Sequence, residues 1–337
     1  MDTILHLQGD LNSKWEPLFL VHPISGLALP YLTLGELSHA GSRPVFGISS
    51  PVYADPSYRY PSSLHELALS YVALVKNVQP QGPYLLGGWS MGGMIAMFMA
   101  AILEKAGDMV VHVILLDSIN PDNIPPFRTE DEHEDLVNLT YSRLLTASSA
   151  LTRPKLRRFG SSSSAGGDSF PAEKIKPGPR VTVTELDSPT SWASTPSTNE
   201  MQSWDMECMP DENYTEDEYP SILPADKGMP VMEMTVLMRE HISKGLWLIS
   251  SWIKDNQTHK VAAPVTLFKC SVLEDIPETI SRARRQSIKT NFADSKLGWK
   301  AGRLHVQSLK SAHDRIFDPQ HAAEVTLALR ALLQRCA

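Results

Sequence analysis

The chain is poor in cysteine. Its 337 residues include only Cys208, Cys270 and Cys336, set far apart. That excludes a disulfide framework and any zinc-ligand spacing, and it points to a reducing compartment. Long apolar runs are also missing, since no stretch approaches the ~20 residues that a membrane-spanning helix needs. The N-terminal Met1-Asp2-Thr3-Ile4-Leu5-His6-Leu7-Gln8 has neither the charged start nor the apolar core of a signal peptide. Positive charge is not in excess: the net charge of −7 offers no footprint for nucleic acid. The expectation is a cytoplasmic protein with no nucleic-acid and no membrane partner.

Against these absences stands one stretch, Tyr84-Leu85-Leu86-Gly87-Gly88-Trp89-Ser90-Met91-Gly92-Gly93. An apolar run leads into Gly-x-Ser-x-Gly, and Met94 to Ala101 continues as a helix former. This reads as strand, sharp turn and helix. Gly88 and Gly92 lack a Cβ and allow strand and helix to approach closely. Ser90 then stands at a helix N-terminus, where free N–H groups and the dipole favour a developing negative charge. The spacing marks Ser90 as a nucleophile; the plainer reading is a glycine-rich turn.

The flanking chain alternates strands and helices. Ile4–Leu7 reads as an edge strand and Leu18–Val21 as a buried one, followed by His22-Pro23-Ile24-Ser25-Gly26. Tyr31–Leu37 reads as a short helix and Pro44–Ile48 as a strand. Ser62 and Ser63 cap a helix with Leu64, Leu67, Ala68, Tyr71, Val72 and Val75 at helical spacing. Val111–Leu116 is a continuous apolar strand ending at Asp117. Strands apolar throughout, alternating with helices, predict a parallel sheet covered on both faces. With the nucleophile turn in its midst, the predicted fold class is α/β, of the α/β-hydrolase type.

From Pro121 the composition changes. Glu130–Thr146 reads as an amphipathic helix, and residues 148–226 are rich in Ser, Pro, Gly and acid, as expected of a disordered or loosely packed segment. Pro121–Lys227 holds 19 acidic and 10 basic residues, so the acidity of the chain belongs to this insertion. Pro230–Trp252 resumes helical periodicity with Met234, Met238, His241, Ile242, Leu246 and Ile249 on one face. That Met-rich face reads as packing on a neighbour or, alternatively, as a lipid-binding surface, and the two coincide if the helix forms one wall of a substrate channel. Strands are expected at Val265–Cys270 and Leu304–Leu309, and a last helix at Pro319–Gln334.

A serine is a weak nucleophile until a base takes its proton. The strand ends gather on one edge of a parallel sheet, so the base belongs on the loop after the last strand, where His313 lies. An acid must orient that imidazole. Asp117 follows the strand after the Ser90 helix; Glu274 and Asp275 follow the Val265–Cys270 strand. Position alone leaves both places open. An oxyanion hole needs two backbone N–H groups, expected from Met91 and from Ile24. His22 is expected to fix that loop. No cofactor and no metal is called for.

Leu18–Gly26, Pro44–Ile48, Gly82–Gly93 and Leu115–Ser118 together resemble type I thioesterase domains, the releasing domains of fungal polyketide synthases and non-ribosomal peptide synthetases. Leu297-Gly298-Trp299 and His313-Asp314-Arg315-Ile316-Phe317 extend the resemblance toward domains of non-reducing polyketide synthases. It covers about residues 1–125 and 229–337. It implies Asp117 as the acid, with Asp275 the alternative. It further implies a helical lid, so that residues 1–120 and 261–337 form the hydrolase core and 121–260 the lid insertion. The long acidic stretch departs from the family pattern. The implied activity is release of a polyketide or related acyl chain, by hydrolysis or cyclisation, from the phosphopantetheine thioester of an acyl carrier protein. A free-standing enzyme serving a synthase in trans is expected. Two other readings are a carboxylesterase or acyltransferase on free esters, and a non-catalytic binding protein on a hydrolase scaffold. Arg282, Arg284, Arg285 and Lys289 form a basic cluster that reads as a solvated helix face or a receiver of an acidic carrier.

Overall fold

A computed structural model describes residues 2–38, 43–55, 57–151, 231–251 and 261–336, with the backbone alone for 147–151 and 231. These residues fall in one unit, made from residues 1–154 and 226–337. Cys208, Trp252 and the acidic Ser/Pro-rich stretch from 152 to 226 lie outside the described residues.

Seven strands form one sheet in the order β1-β3-β2-β4-β5-β6-β7. They are β1 (Ile4–Gln8), β2 (Leu18–Val21), β3 (Val45–Ile48), β4 (Tyr84–Trp89), β5 (Val110–Leu116), β6 (Val265–Val272) and β7 (Leu304–Ala312). Only β1, at the edge, runs antiparallel, against β3; the pairs from β3–β2 through β6–β7 are parallel. Parallel strands need crossovers, and helices supply them on both faces. Successive side chains alternate between those faces. Phe19, Val21, Leu86, Val113 and Leu115 join one core, under α1 (Leu64–Val78) and α2 (Met91–Lys105). Leu18, Leu20, Leu85, Ile114 and Leu116 join the other, under α6 (Pro319–Leu333). This two-sided burial is why β2, β4 and β5 read as unbroken apolar runs.

Local chemistry sets the helix starts. Ser63 caps α1 by accepting from the Glu66 N–H, and the Glu66 carboxylate reaches back to the Ser62 N–H at 2.8 Å. The expected helix at Tyr31–Leu37 is instead a 3₁₀ turn at Leu29–Thr33. Pro30 favours the first turn, and the chain leaves it extended at Leu34. The turn places buried Tyr31 under the sheet edge. Its hydroxyl donates to the Val21 carbonyl at 2.6 Å and accepts from the Trp89 N–H at 2.8 Å, tying the ends of β2 and β4 together.

Among the described residues, two α-helices are inserted between β5 and β6: α3 (Glu130–Leu151), which runs five residues past the expected end, and α4 (Val231–Ser250). They are joined by Arg239 to Glu134 and Asn138, by His133 Nε2 to the Ser243 carbonyl at 2.9 Å, and by stacking of Phe127 on Trp247. The next helix, α5 (Arg282–Ala293), carries the basic cluster. Arg284 does not belong to a solvated face: it is buried, it donates to Glu132 Oε1 at 3.2 Å and to two proline carbonyls, and it covers the Phe127 ring. Arg282 and Lys289 are exposed. Removing one partner of a buried ion pair leaves an uncompensated charge. Glu132→Ala is therefore expected to cost about 3–5 kcal/mol, and Glu132→Met with Arg284→Met to regain most of it. Denaturant midpoints check this; equal midpoints for Glu132→Ala and wild type would show the pair to be inert.

Candidate active site

Between β4 and α2 the backbone turns through Ser90 at φ 56° and ψ −122°, a conformation rarely open to a side-chain-bearing residue. The turn is this tight because nothing stands between its arms. A Cβ on Gly88 would lie 2.3 Å from the Gly92 carbonyl carbon, and one on Gly92 would lie 2.2 Å from the Val21 oxygen. The Ser90 hydroxyl is thereby held at the C-terminal edge of the sheet and at the first turn of α2.

Strand β7 runs three residues past its expected end and delivers His313 to the same edge. His313 Nε2 lies 3.0 Å from Ser90 Oγ, and Nδ1 lies 2.7 Å from Asp117 Oδ2. A carboxylate only accepts, so Nδ1 carries the proton and Nε2 of the neutral ring accepts from Ser90. Trp89 packs beside the imidazole, with ring centroids 5.7 Å apart. Asp117 follows β5 at φ 44°, and its Oδ1 accepts from the Cys270 N–H at 2.8 Å. Of the two places open for an acid, the structure brings Asp117 to the ring. Glu274 instead pairs with Arg315 and Arg143, and the Asp275 carbonyl accepts from Arg143.

Electrostatics follow this geometry. Burial works against the Asp117 carboxylate, but the bonds from His313 and Cys270 outweigh it and hold it below the usual carboxylate range. Burial likewise opposes charge on His313. The Asp117 carboxylate outweighs it, with Asp314 and Glu274 adding, and the imidazole is pushed up to about 9.

Met91 is the first residue of α2, where N–H groups have no intrahelical acceptor. Ile24 lies in the turn after β2, which is closed by the Gly26 N–H on the Pro23 carbonyl at 3.0 Å. The Ile24 N–H makes no hydrogen bond among the described residues. His22 is buried beneath this turn: Nδ1 donates to the Pro23 carbonyl at 2.7 Å, and Nε2 accepts from the Tyr71 hydroxyl at 2.5 Å. Pro23 C=O and Ile24 N–H belong to one peptide group, so His22 holds the very plane that carries the Ile24 N–H. Burial, only partly opposed by that bond, pushes the His22 ring down to about 4 and keeps it neutral.

Ser90, Asp117 and His313 line a cavity of about 320 Å³, with Ile24, Met91, Leu136, Leu246, Ile249 and Ile288 among its apolar walls. A wider recess of about 820 Å³, between Tyr60, Glu130 and Trp247, includes none of the three. Among the described residues no three His, Cys, Asp or Glu side chains gather to hold a metal ion, and no helix is long and apolar enough to cross a membrane.

A mostly parallel sheet with a strained serine turn at its edge defines a hydrolase of the α/β-hydrolase fold. Residues 16–162 match the family model of the thioesterase domain. The chain is 32% identical over 348 residues to thioesterase pytI of Aspergillus terreus, covering 99% of each, and it belongs to the thioesterase family. It is 37% identical over 120 residues to the non-reducing polyketide synthase crz7 of Cladonia metacorallifera, a match spanning 36% of this chain and 6% of that one. The fold is shared with the NocB thioesterase domain, solved as a covalent complex with a fluorophosphonate nocardicin G analogue. That match has a TM-score of 0.56 at 21% identity and covers 98% of this chain and 99% of that one.

Proposed function

We propose that Ser90 is the nucleophile, His313 the general base, Asp117 the orienting acid, and the Ile24 and Met91 N–H groups the oxyanion donors of a two-step acyl transfer. The observation that carries this is the series Asp117–His313–Ser90, bonded at 2.7 and 3.0 Å on the wall of an apolar cavity. Ser90 Oγ attacks the thioester carbonyl carbon as its proton passes to His313 Nε2. The tetrahedral oxyanion rests on the two N–H groups. Its collapse breaks the C–S bond, and the leaving thiolate takes the proton from His313. The acyl-Ser90 ester is then attacked by water, or by a hydroxyl or amine of the same chain, with His313 again taking the proton, or by an enolate of that chain formed when His313 takes its C–H proton. Collapse of this second tetrahedral intermediate breaks the C–Oγ bond, and His313 returns the proton to Ser90 Oγ. No metal or cofactor takes part.

The substrate we infer is a polyketide or related acyl chain on the phosphopantetheine of an acyl carrier protein, presented in trans. A family relative of matching length is named a thioesterase, and a stretch of 120 residues, 36% of this chain, is 37% identical to part of a non-reducing polyketide synthase. The cavity is mostly apolar but is also lined by Arg143, Glu274, Arg284 and Asp314, which suits a largely uncharged chain bearing some polar groups. Helices α3 and α4 act as the lid. The inferred compartment is the cytoplasm.

The same series of side chains cleaves oxygen esters, so a carboxylesterase or acyltransferase is the second reading. Turnover of an acyl-carrier thioester is expected to exceed that of a p-nitrophenyl ester of the same acyl group by at least about tenfold in kcat/KM, or ~1.4 kcal/mol of transition-state discrimination. Turnover of the free ester alone would overturn the carrier reading.

A further inference from the structure

The inserted helix α4 packs against the Ile24 turn. Its buried His241 donates from Nδ1 to the Ile24 carbonyl at 3.0 Å. Four residues on, Gly245 presents bare backbone: a Cβ there would lie 2.6 Å from Ile24 Cδ1 and 3.1 Å from Met91 Sδ. One face of one helix thus bears on both residues assigned as oxyanion donors. The peptide before Ile24 is held from the core by His22, and the peptide after it is held from α4 by His241.

We propose that His241 is a positioning residue for the oxyanion hole, so that the inserted helix completes the site as well as covering it. The inference rests on the roles given above to Ile24 and Met91. A plain packing role is the competing explanation, because His241 sits among the rings of His22, Tyr53 and Tyr60 and against Gly26, where a Cβ would lie 2.7 Å from its ring. Packing alone, however, does not call for a polar ring there. His241 Nε2 is buried without a partner among the described residues, a cost that an apolar residue of the same size would avoid. Burial, aided by the neighbouring His22, pushes the His241 ring down to about 3. It therefore stays neutral, with its one proton on the nitrogen facing Ile24. His241 Nδ1 thus holds the Ile24 carbonyl from α4. Without that bond the turn loses its anchor on α4, and its N–H is no longer fixed where negative charge develops.

Asparagine places its amide nitrogen at the level of the histidine Nδ1, and glutamine places it at the level of Nε2. The test therefore compares His241→Ala, His241→Asn and His241→Gln. Removal of a whole oxyanion donor costs ~10²–10³ in kcat, so loss of an anchor is expected to cost about 10- to 100-fold. His241→Ala and His241→Gln should lose this much in kcat and in the rate of Ser90 phosphonylation by a fluorophosphonate, with KM unchanged. His241→Asn should recover to within about threefold of wild type. Equal losses in all three variants, tracking melting temperature, would reduce His241 to packing and overturn the proposal, as would an unchanged kcat in His241→Ala. Should the alanine variant fail to fold, Gly245→Ala carries the test: alanine favours the helix by about 1 kcal/mol, yet kcat should fall with KM unchanged, and an unchanged kcat again overturns the proposal. Labelling of wild-type Ser90 separates the two claims, since its absence sinks the serine mechanism itself, whereas equal labelling of wild type and His241→Ala sinks only this inference.

Discussion

Ser90→Ala is expected to lower carrier-thioester turnover by roughly ten-thousand- to million-fold and to abolish labelling by a fluorophosphonate. The substitution removes one oxygen and little else. The Ser90 N–H bonds to the Leu116 carbonyl and the Ser90 carbonyl accepts from Gly93, so backbone groups hold the turn, and among the described residues the hydroxyl bonds only to His313. Alanine can occupy the same strained turn, and the melting temperature should stay within a few degrees of wild type. Residual catalysis would come from the oxyanion donors and from binding, which survive loss of the nucleophile. Single-turnover release from a loaded carrier measures the effect directly. Loss of less than tenfold, or a fluorophosphonate adduct on another side chain, would take the nucleophile's role from Ser90.

What the sequence disclosed here was local. The serine turn announces itself within ten residues, because the glycines that permit it must sit two positions either side of Ser90. The sheet was legible because β2, β4 and β5 are buried on both faces and have no polar side to hide. His313 followed from topology, through its place after the last strand. The rest depended on pairs far apart in the chain. Asp117 and Asp275 occupy equivalent strand ends, and what distinguishes them is a backbone twist at Asp117 and an N–H from Cys270, 153 positions on. Arg284 read as one of several solvated bases because its partner Glu132 lies 152 positions earlier. His241 sat at an apolar position of an amphipathic helix, and helical periodicity cannot distinguish a packing ring from one that bonds a carbonyl 217 positions away. Tyr31 falls in the turn where a longer helix was expected. Its hydroxyl becomes meaningful only once two strand ends meet above it.

Asp117→Asn is expected to cut kcat by about 10⁴-fold and to move the pH profile, and the two effects have one cause. The carboxylate takes a proton from His313 Nδ1 on one oxygen and an N–H from Cys270 on the other. An amide in that place keeps its oxygen toward Cys270 and turns its NH₂ to the ring. His313 must then accept at Nδ1 and carry its proton on Nε2, facing Ser90, where a base needs a lone pair. The charge is lost as well. In the proposed mechanism the base works only as neutral imidazole, and Asp117 stabilises the imidazolium. kcat/KM should therefore rise with pH and level off at an inflection near the His313 value of about 9. Without the carboxylate the imidazolium loses its main support, and the inflection moves to lower pH. Asp314 and Glu274 remain and oppose the move weakly. Profiles recorded with a free ester, at pH values where spontaneous hydrolysis is subtracted, read both limbs. An inflection that stays in place with kcat lowered would confine Asp117 to orientation. Near-normal kcat would pass the role to Glu274 or Asp275, and for that Arg143 and Arg315 would first have to release the acidic loop.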